Sequence, residues 1–131
     1  MRADVRVAIL SLGALIGCTR QSSPTVCTAL FAYVTLTVHD PQRAAVTGLT
    51  ISDTVRRTGQ TFVMSQFGSL PVGSYVIFDD SHTNLIRTTG DSVRVAGSAG
   101  GTTFVADFVF DVPGGCHVRK LAGPDTVVTG P

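Results

Sequence analysis

The chain has 131 residues, with 10 Lys and Arg against 9 acidic side chains and a formal net charge of +1 at neutral pH. That balance excludes the basic excess that a nucleic-acid partner demands, and the length allows one domain with a real core. Glu is absent and Lys120 is the only lysine, whereas Val, Thr and Gly abound, a composition that favours strands and turns over helices.

The chain opens on two basic residues, Arg2 and Arg6, and continues from Val7 to Gly17 with apolar and small side chains. This run is too short to span a bilayer, which takes ~20 residues, but it has the ~7–15-residue length of an export signal's apolar region. Leu15-Ile16-Gly17-Cys18 follows and resembles the bacterial lipobox, Leu, then a small or branched residue, then Gly, Ala or Ser, then Cys. The resemblance implies that the Cys18 thiol receives a diacylglycerol, that residues 1–17 are cut away, and that the new amine is acylated. Two or more acyl chains, at ~0.8 kcal/mol per buried methylene, anchor a protein stably. The alternatives are an ordinary cleaved signal with an incidental cysteine, or a buried N-terminal strand. Residues 18–26 then read as a small, polar tether and 27–131 as the domain. The resemblance implies a place in the bacterial cell envelope. Thr19 stands where Asp would retain some lipoproteins at the inner membrane, so the outer membrane is favoured in a two-membrane host.

The cysteines are Cys18, Cys27 and Cys116. An odd count in an exported chain asks for an explanation. If lipid takes Cys18, Cys27 and Cys116 are left to pair, as an oxidising compartment favours. The alternative is two free buried thiols.

Strands are expected in chain order as follows. Leu30 to His39 alternates Ala32, Val34, Leu36 and Val38 with Tyr33, Thr35, Thr37 and His39, the period of two of a half-buried strand, and Asp40-Pro41 ends it. Val46 to Asp53 carries Leu49 and Ile51 on one face. Thr54 to Gln60 reads as a polar strand end and turn, and Thr61 to Met64 as a short edge strand. Residues 67–73 form a Gly- and Pro-rich loop. Ser74 to Phe78 is continuously apolar at its centre, which predicts burial on both faces. Asp79 to Asn84 is a polar turn, Leu85 to Thr88 a short strand, and Ser92 to Ala96 a strand with Val93 and Val95 inward. Gly97 to Gly101 reads as a flexible hairpin loop. Thr102 to Val112 follows with Phe104, Ala106, Phe108 and Phe110 on the core face. Cys116 to Leu121 is a strand with Val118 inward, and Thr126 to Thr129 an edge strand. No segment outside the signal shows helical periodicity. Short strands with turns every ~8–12 residues predict an all-β fold, a single antiparallel β-sandwich of Ig-like or transthyretin-like kind, behind an N-terminal helical signal segment.

Two pieces resemble the carboxypeptidase regulatory-like domain, a transthyretin-like β-sandwich of bacterial envelope proteins. The first is Val34 to Asp40 followed by Val46-Thr47-Gly48-Leu49-Thr50-Ile51, with Ala45 where the family prefers Pro. The second is Leu70-Pro71-Val72-Gly73-Ser74-Tyr75-Val76-Ile77. The resemblance implies a structural or binding module. The catalytic relative, hydroxyisourate hydrolase, ends in Tyr-Arg-Gly-Ser where this chain ends Val-Thr-Gly-Pro, so that activity is not carried over.

Chemistry-bearing residues are few. His39, His82 and His117 are the only histidines, and a metal or catalytic site would need them to converge with Asp or Cys; the alternation around His39 and His117 points both to solvent. Asp79, Asp80, Ser81 and Asn84 offer the oxygen ligands that calcium uses, without EF-hand spacing, and the same residues simply make turns. Ser69, Ser74 and Ser81 lack the Gly-x-Ser-x-Gly setting of a hydrolase elbow, and Gly97 to Gly101 is not followed by the Lys-Ser/Thr pair of a phosphate loop. The expected function is therefore a lipid-anchored envelope protein presenting a non-catalytic sandwich to a protein or envelope-polymer partner. The alternative is a ligand- or ion-binding domain using loops 79–84 and 97–101 at one end of the sandwich. A small envelope hydrolase is the third reading. No cofactor, catalytic residue, metal or nucleic-acid partner is expected.

Overall fold

The computed structural model describes residues 25–131. The expected signal segment 1–17, the lipidation site Cys18 and all but the end of the 18–26 tether lie outside them.

Two packed sheets make the fold. One has three strands in the order β4-β1-β8, where β1 is Tyr33–His39, β4 Ser74–Asp79 and β8 Thr126–Val128. The other has five in the order β3-β2-β5-β6-β7, where β2 is Thr50–Val55, β3 Thr61–Val63, β5 Asp91–Ala99, β6 Thr102–Asp111 and β7 Arg119–Ala122. The all-β sandwich is thus as expected. All pairings are antiparallel except β1 with β8, which runs parallel in the register Thr37↔Thr126 to His39↔Val128.

The core follows the period-two pattern. Leu36 and Val38 of β1, Ile51 and Val55 of β2, Val93 and Val95 of β5, and Phe104, Phe108 and Phe110 of β6 are all buried. Phe110 stacks on Phe78 across the sheets at 4.8 Å and on Phe108 along its own strand at 5.7 Å. Every residue of β4 from Tyr75 to Asp79 is buried, as its continuous apolar character predicts. Its outer edge is covered by a side chain: the Gln66 amide donates to Val76 O at 2.9 Å and accepts from Val76 N at 2.8 Å. Gln66 thereby does the hydrogen bonding of a further strand and blunts an exposed edge.

Several boundaries differ from expectation. β2 begins at Thr50 rather than Val46 and runs on to the buried Val55. Residues 80–85 form a 3-10 helix (Asp80–Leu85), and 85–88 form no strand. Gly97 belongs to β5, not to a loop, and the turn itself is only Gly100-Gly101. A short 3-10 turn, Pro113–Gly115, delays the start of β7 to Arg119.

Cys27 and Cys116 come together at disulfide distance, with Cα atoms 5.2 Å apart and within the ~7 Å that a disulfide bond tolerates. They join the segment entering β1 to the turn between β6 and β7.

Candidate functional site

β4 ends on Asp79, and the chain turns at once into the 3-10 helix. Asp79 caps it: its Oδ1 accepts from Ser81 N at 2.9 Å and from His82 Nδ1 at 2.9 Å, the role short acidic side chains fill at helix starts. The His82 ring then lies flat on Phe62, with centroids 4.4 Å and planes 11° apart. With Nδ1 engaged by Asp79, Nε2 is the ring nitrogen left over. Among the described residues no group bonds to it.

His82 and Asp79 line a groove of about 380 Å³ together with Phe31, Ser65, Phe67 and Ser81. Phe67 meets Phe31 and Tyr33 edge-on, at 5.7 and 5.3 Å. The Gln66 pairing with β4 holds Ser65 and Phe67 in place on either side of it. The result is an apolar trough with one oriented imidazole and two hydroxyls, the composition of a small-molecule site. Neither serine is hydrogen-bonded to His82 among the described residues, so the imidazole has no paired nucleophile of the kind a triad needs.

Asp80 is committed elsewhere. Its carboxylate accepts from Ala32 N and Val118 N, each at 2.8 Å, and from His117 Nδ1 at 2.6 Å. Thr28 Oγ1 completes the cluster at 2.8 Å from His117 Nε2. Burial alone would raise the Asp80 carboxyl, but the bonds from Ala32, His117 and Val118 outweigh it and hold it below the usual range. Asp80 therefore stitches the entry to β1 and the turn before β7 onto the 3-10 helix, beside Cys27 and Cys116.

Asp53 is the unexpected member of this region. It takes an inward position of β2 between Ile51 and Val55, is fully buried, and has no hydrogen-bond partner for either oxygen. Its strand partner across the β2–β3 pairing is Phe62, the ring under His82. Burial first, and the neighbouring Asp79 second, push its carboxyl up to about 8. At neutral pH it is an uncharged acid in the core.

The residues singled out in the sequence are distributed as follows. The oxygens of Asp79, Asp80, Ser81 and Asn84 do not converge. Both carboxylates are turned to separate partners, Ser81 and Asn84 are exposed, and no group of three His, Cys, Asp or Glu is placed to hold a metal among the described residues. Loops 79–84 and 97–101 lie at opposite ends of the sandwich, not at one end. Asp79 pairs with Tyr33 at the start of β1, whereas Thr103, next to the hairpin, bonds to Gly130, and Thr129 N donates to His39 O at the far end of β1. His117 is held by Asp80 and Thr28 rather than turned to solvent. His39 sits half-buried at the far end of β1, away from the other two histidines. Ser74 is a strand residue opposite Thr37, and Ser69 an exposed loop residue. A larger hollow of about 480 Å³ at the far end is lined by Asp40, Gln42, Thr102 and Thr129 among others. It offers less chemistry, because Asp40 Oδ1 closes its own turn on Gln42 N and Ala44 N.

Compared with family models, curated proteins and solved structures, the chain matches none.

Proposed function

We propose that this chain is an exported, lipid-anchored envelope protein that presents one β-sandwich of the carboxypeptidase regulatory-like kind as a binding module. The observation that carries the reading is the disposition of the cysteines. Of three in the chain, Cys27 and Cys116 are at disulfide distance. The one left over, Cys18, is the one that ends Leu15-Ile16-Gly17-Cys18. The pairing forms as a disulfide in an oxidising compartment, and the unpaired thiol goes to lipid. Expression of the full chain in bacteria with labelled fatty acid tests this. Label enters the wild type and is lost in Cys18→Ser; an unlabelled wild type recovered in the soluble fraction removes the proposal.

A second reading, that the module binds a small ligand at the 79–84 end, is favoured by the groove around His82. Ligand-observed NMR against a fragment library tests it. Binders lost in His82→Ala support it; binders that persist, or none, count against it.

A further inference from the structure

Nine large apolar side chains are exposed among the described residues. Five of them stand singly, Val63, Val105, Leu121 and Val128 on four different strands and Val72 in the turn before β4, the ordinary scatter of a protein surface. The other four fall within eight consecutive residues at the entry to the sandwich: Val26 (89% exposed), Leu30 (78%), Phe31 (51%) and Tyr33 (46%). Phe31 and Tyr33 both lean on the Phe67 ring, so the aromatic part of this cluster is a packed, outward-facing patch.

The segment is not a loose tail. Cys27 lies against Cys116, Thr28 bonds to His117, and Ala32 exchanges bonds with Asp80, its N–H to the carboxylate and its carbonyl to the Asp80 N–H. The fold thus spends four contacts to hold apolar side chains in solvent. It does so where the chain leaves for Cys18. From Cys18 to Thr25 is seven residues, which reach at most ~25 Å even fully extended. A lipid on Cys18 therefore keeps this end of the sandwich at the bilayer surface.

We infer that Val26, Leu30, Phe31 and Tyr33, the two aromatics backed by Phe67, form a docking surface for the interfacial layer of the bilayer. The inference rests on the lipid anchor proposed above and adds to it a fixed orientation. The chemistry fits that layer: Tyr and other amphipathic aromatics settle at the headgroup level, and apolar side chains gain by leaving water there. No Lys or Arg lies in 25–33, so attachment depends on apolar contact and not on anionic lipid. Phe31 and Phe67 also line the His82 groove, so docking turns the mouth of that groove toward the membrane.

The chain has no tryptophan, so a single introduced one reports on its own position. The full chain carrying Phe31→Trp is produced in bacteria, extracted and reconstituted into phosphatidylcholine vesicles containing lipid brominated high on the acyl chains. Val105→Trp, on the exposed outer face of β6, is the reference. The tryptophan at 31 is expected to lose most of its emission and to shift to the blue, while that at 105 keeps both. Replacing phosphatidylcholine in part with phosphatidylglycerol leaves the quenching unchanged. Equal quenching at the two positions, or none at 31, overturns the docking surface. Should the chain prove unlipidated, the anchor fails separately, and docking is read after coupling the Cys18 thiol to a maleimide-headgroup lipid in the same vesicles, with the same two outcomes.

Discussion

The Tyr75 hydroxyl donates to Val46 O at 2.7 Å and accepts from Leu49 N at 3.3 Å. One side chain of β4 thereby fixes both ends of the loop that feeds β2. The two sequence pieces that resemble the regulatory-like domain, one through residues 46–51 and one ending in Gly73-Ser74-Tyr75, meet in this contact. Gly73 supports it from below. Its φ is +81, and a Cβ there would fall 2.9 Å from Ala45 Cβ and 3.1 Å from Val38 O. Only glycine fits both the conformation and the space.

Tyr75→Phe keeps the ring and removes the hydroxyl, leaving the half-buried Val46 carbonyl and the buried Leu49 amide without their partner. The expected loss is ~1–3 kcal/mol, the cost of stranding such groups. Denaturant titration reads it. A loss well below this range would mean that water replaces the hydroxyl.

Gly97 makes a sharper test of packing. It is a β5 residue opposite Phe104, with no positive φ to excuse it. A Cβ there would lie 2.2 Å from the Phe104 ring. Gly97→Ala should therefore destabilise by the ~1–3 kcal/mol typical of overpacking, whereas Ser98→Ala, exposed on the other face, should change little. Equal effects would show that Phe104 swings aside freely.

Cys27 and Cys116 are 89 residues apart in sequence. A bond between them closes nearly the whole domain, worth ~4–5 kcal/mol in the chain-entropy model before other effects. Mass spectrometry of the non-reduced exported protein should give a linked Cys27–Cys116 peptide, and reduction should lower the midpoint of unfolding. Two free thiols, or unchanged stability on reduction, would refute this. The Asp80–His117 clasp beside the pair limits how far the entry segment opens once the bond is gone.

The strands were legible where alternation is set by neighbours two residues apart. Val93 and Val95, Leu36 and Val38, and Phe104, Phe108 and Phe110 all face inward as their spacing predicts. What failed was set by distant partners. Residues 85–88 read as a strand, but Arg87 is drawn to Asp91, to which its backbone N–H and its guanidinium both donate. The parallel pairing of β8 with β1 has no local signature at all. The groove was half legible: Asp79 and Ser81 stood out as polar residues ending a buried strand. Phe31, Ser65 and Phe67 could join them only through the topology. Asp53 carries a local signal of its own, an acid at an inward position between Ile51 and Val55.

That acid sets the pH dependence. The Asp53 carboxyl is raised in the fold from 3.8 to about 8 by burial and then by Asp79. The unfolded chain therefore gives up its proton first, and between pH 4 and 8 it binds fewer protons than the fold. Stability contributed by the neutral acid is complete below pH 4 and lost as pH rises toward 8, at up to ~1.4 kcal/mol per pH unit. Asp91 works in the opposite sense. Hydrogen bonding from Arg57 above all, with the Arg87 N–H and both guanidinium charges, outweighs burial and brings it to about 2, so its contribution is present above pH 4 and lost as pH falls toward 2. The two windows adjoin without overlapping, which places the most stable range of this pair near pH 4. Asp53→Asn removes the titrating group with little change in shape. Denaturant midpoints at pH 4.5, 7 and 9 should fall steeply for the wild type and much less for Asp53→Asn, with the two proteins diverging in favour of the variant as pH rises. Parallel curves would mean that Asp53 is solvated or paired in solution, and that the core at β2 is wetter than its packing shows.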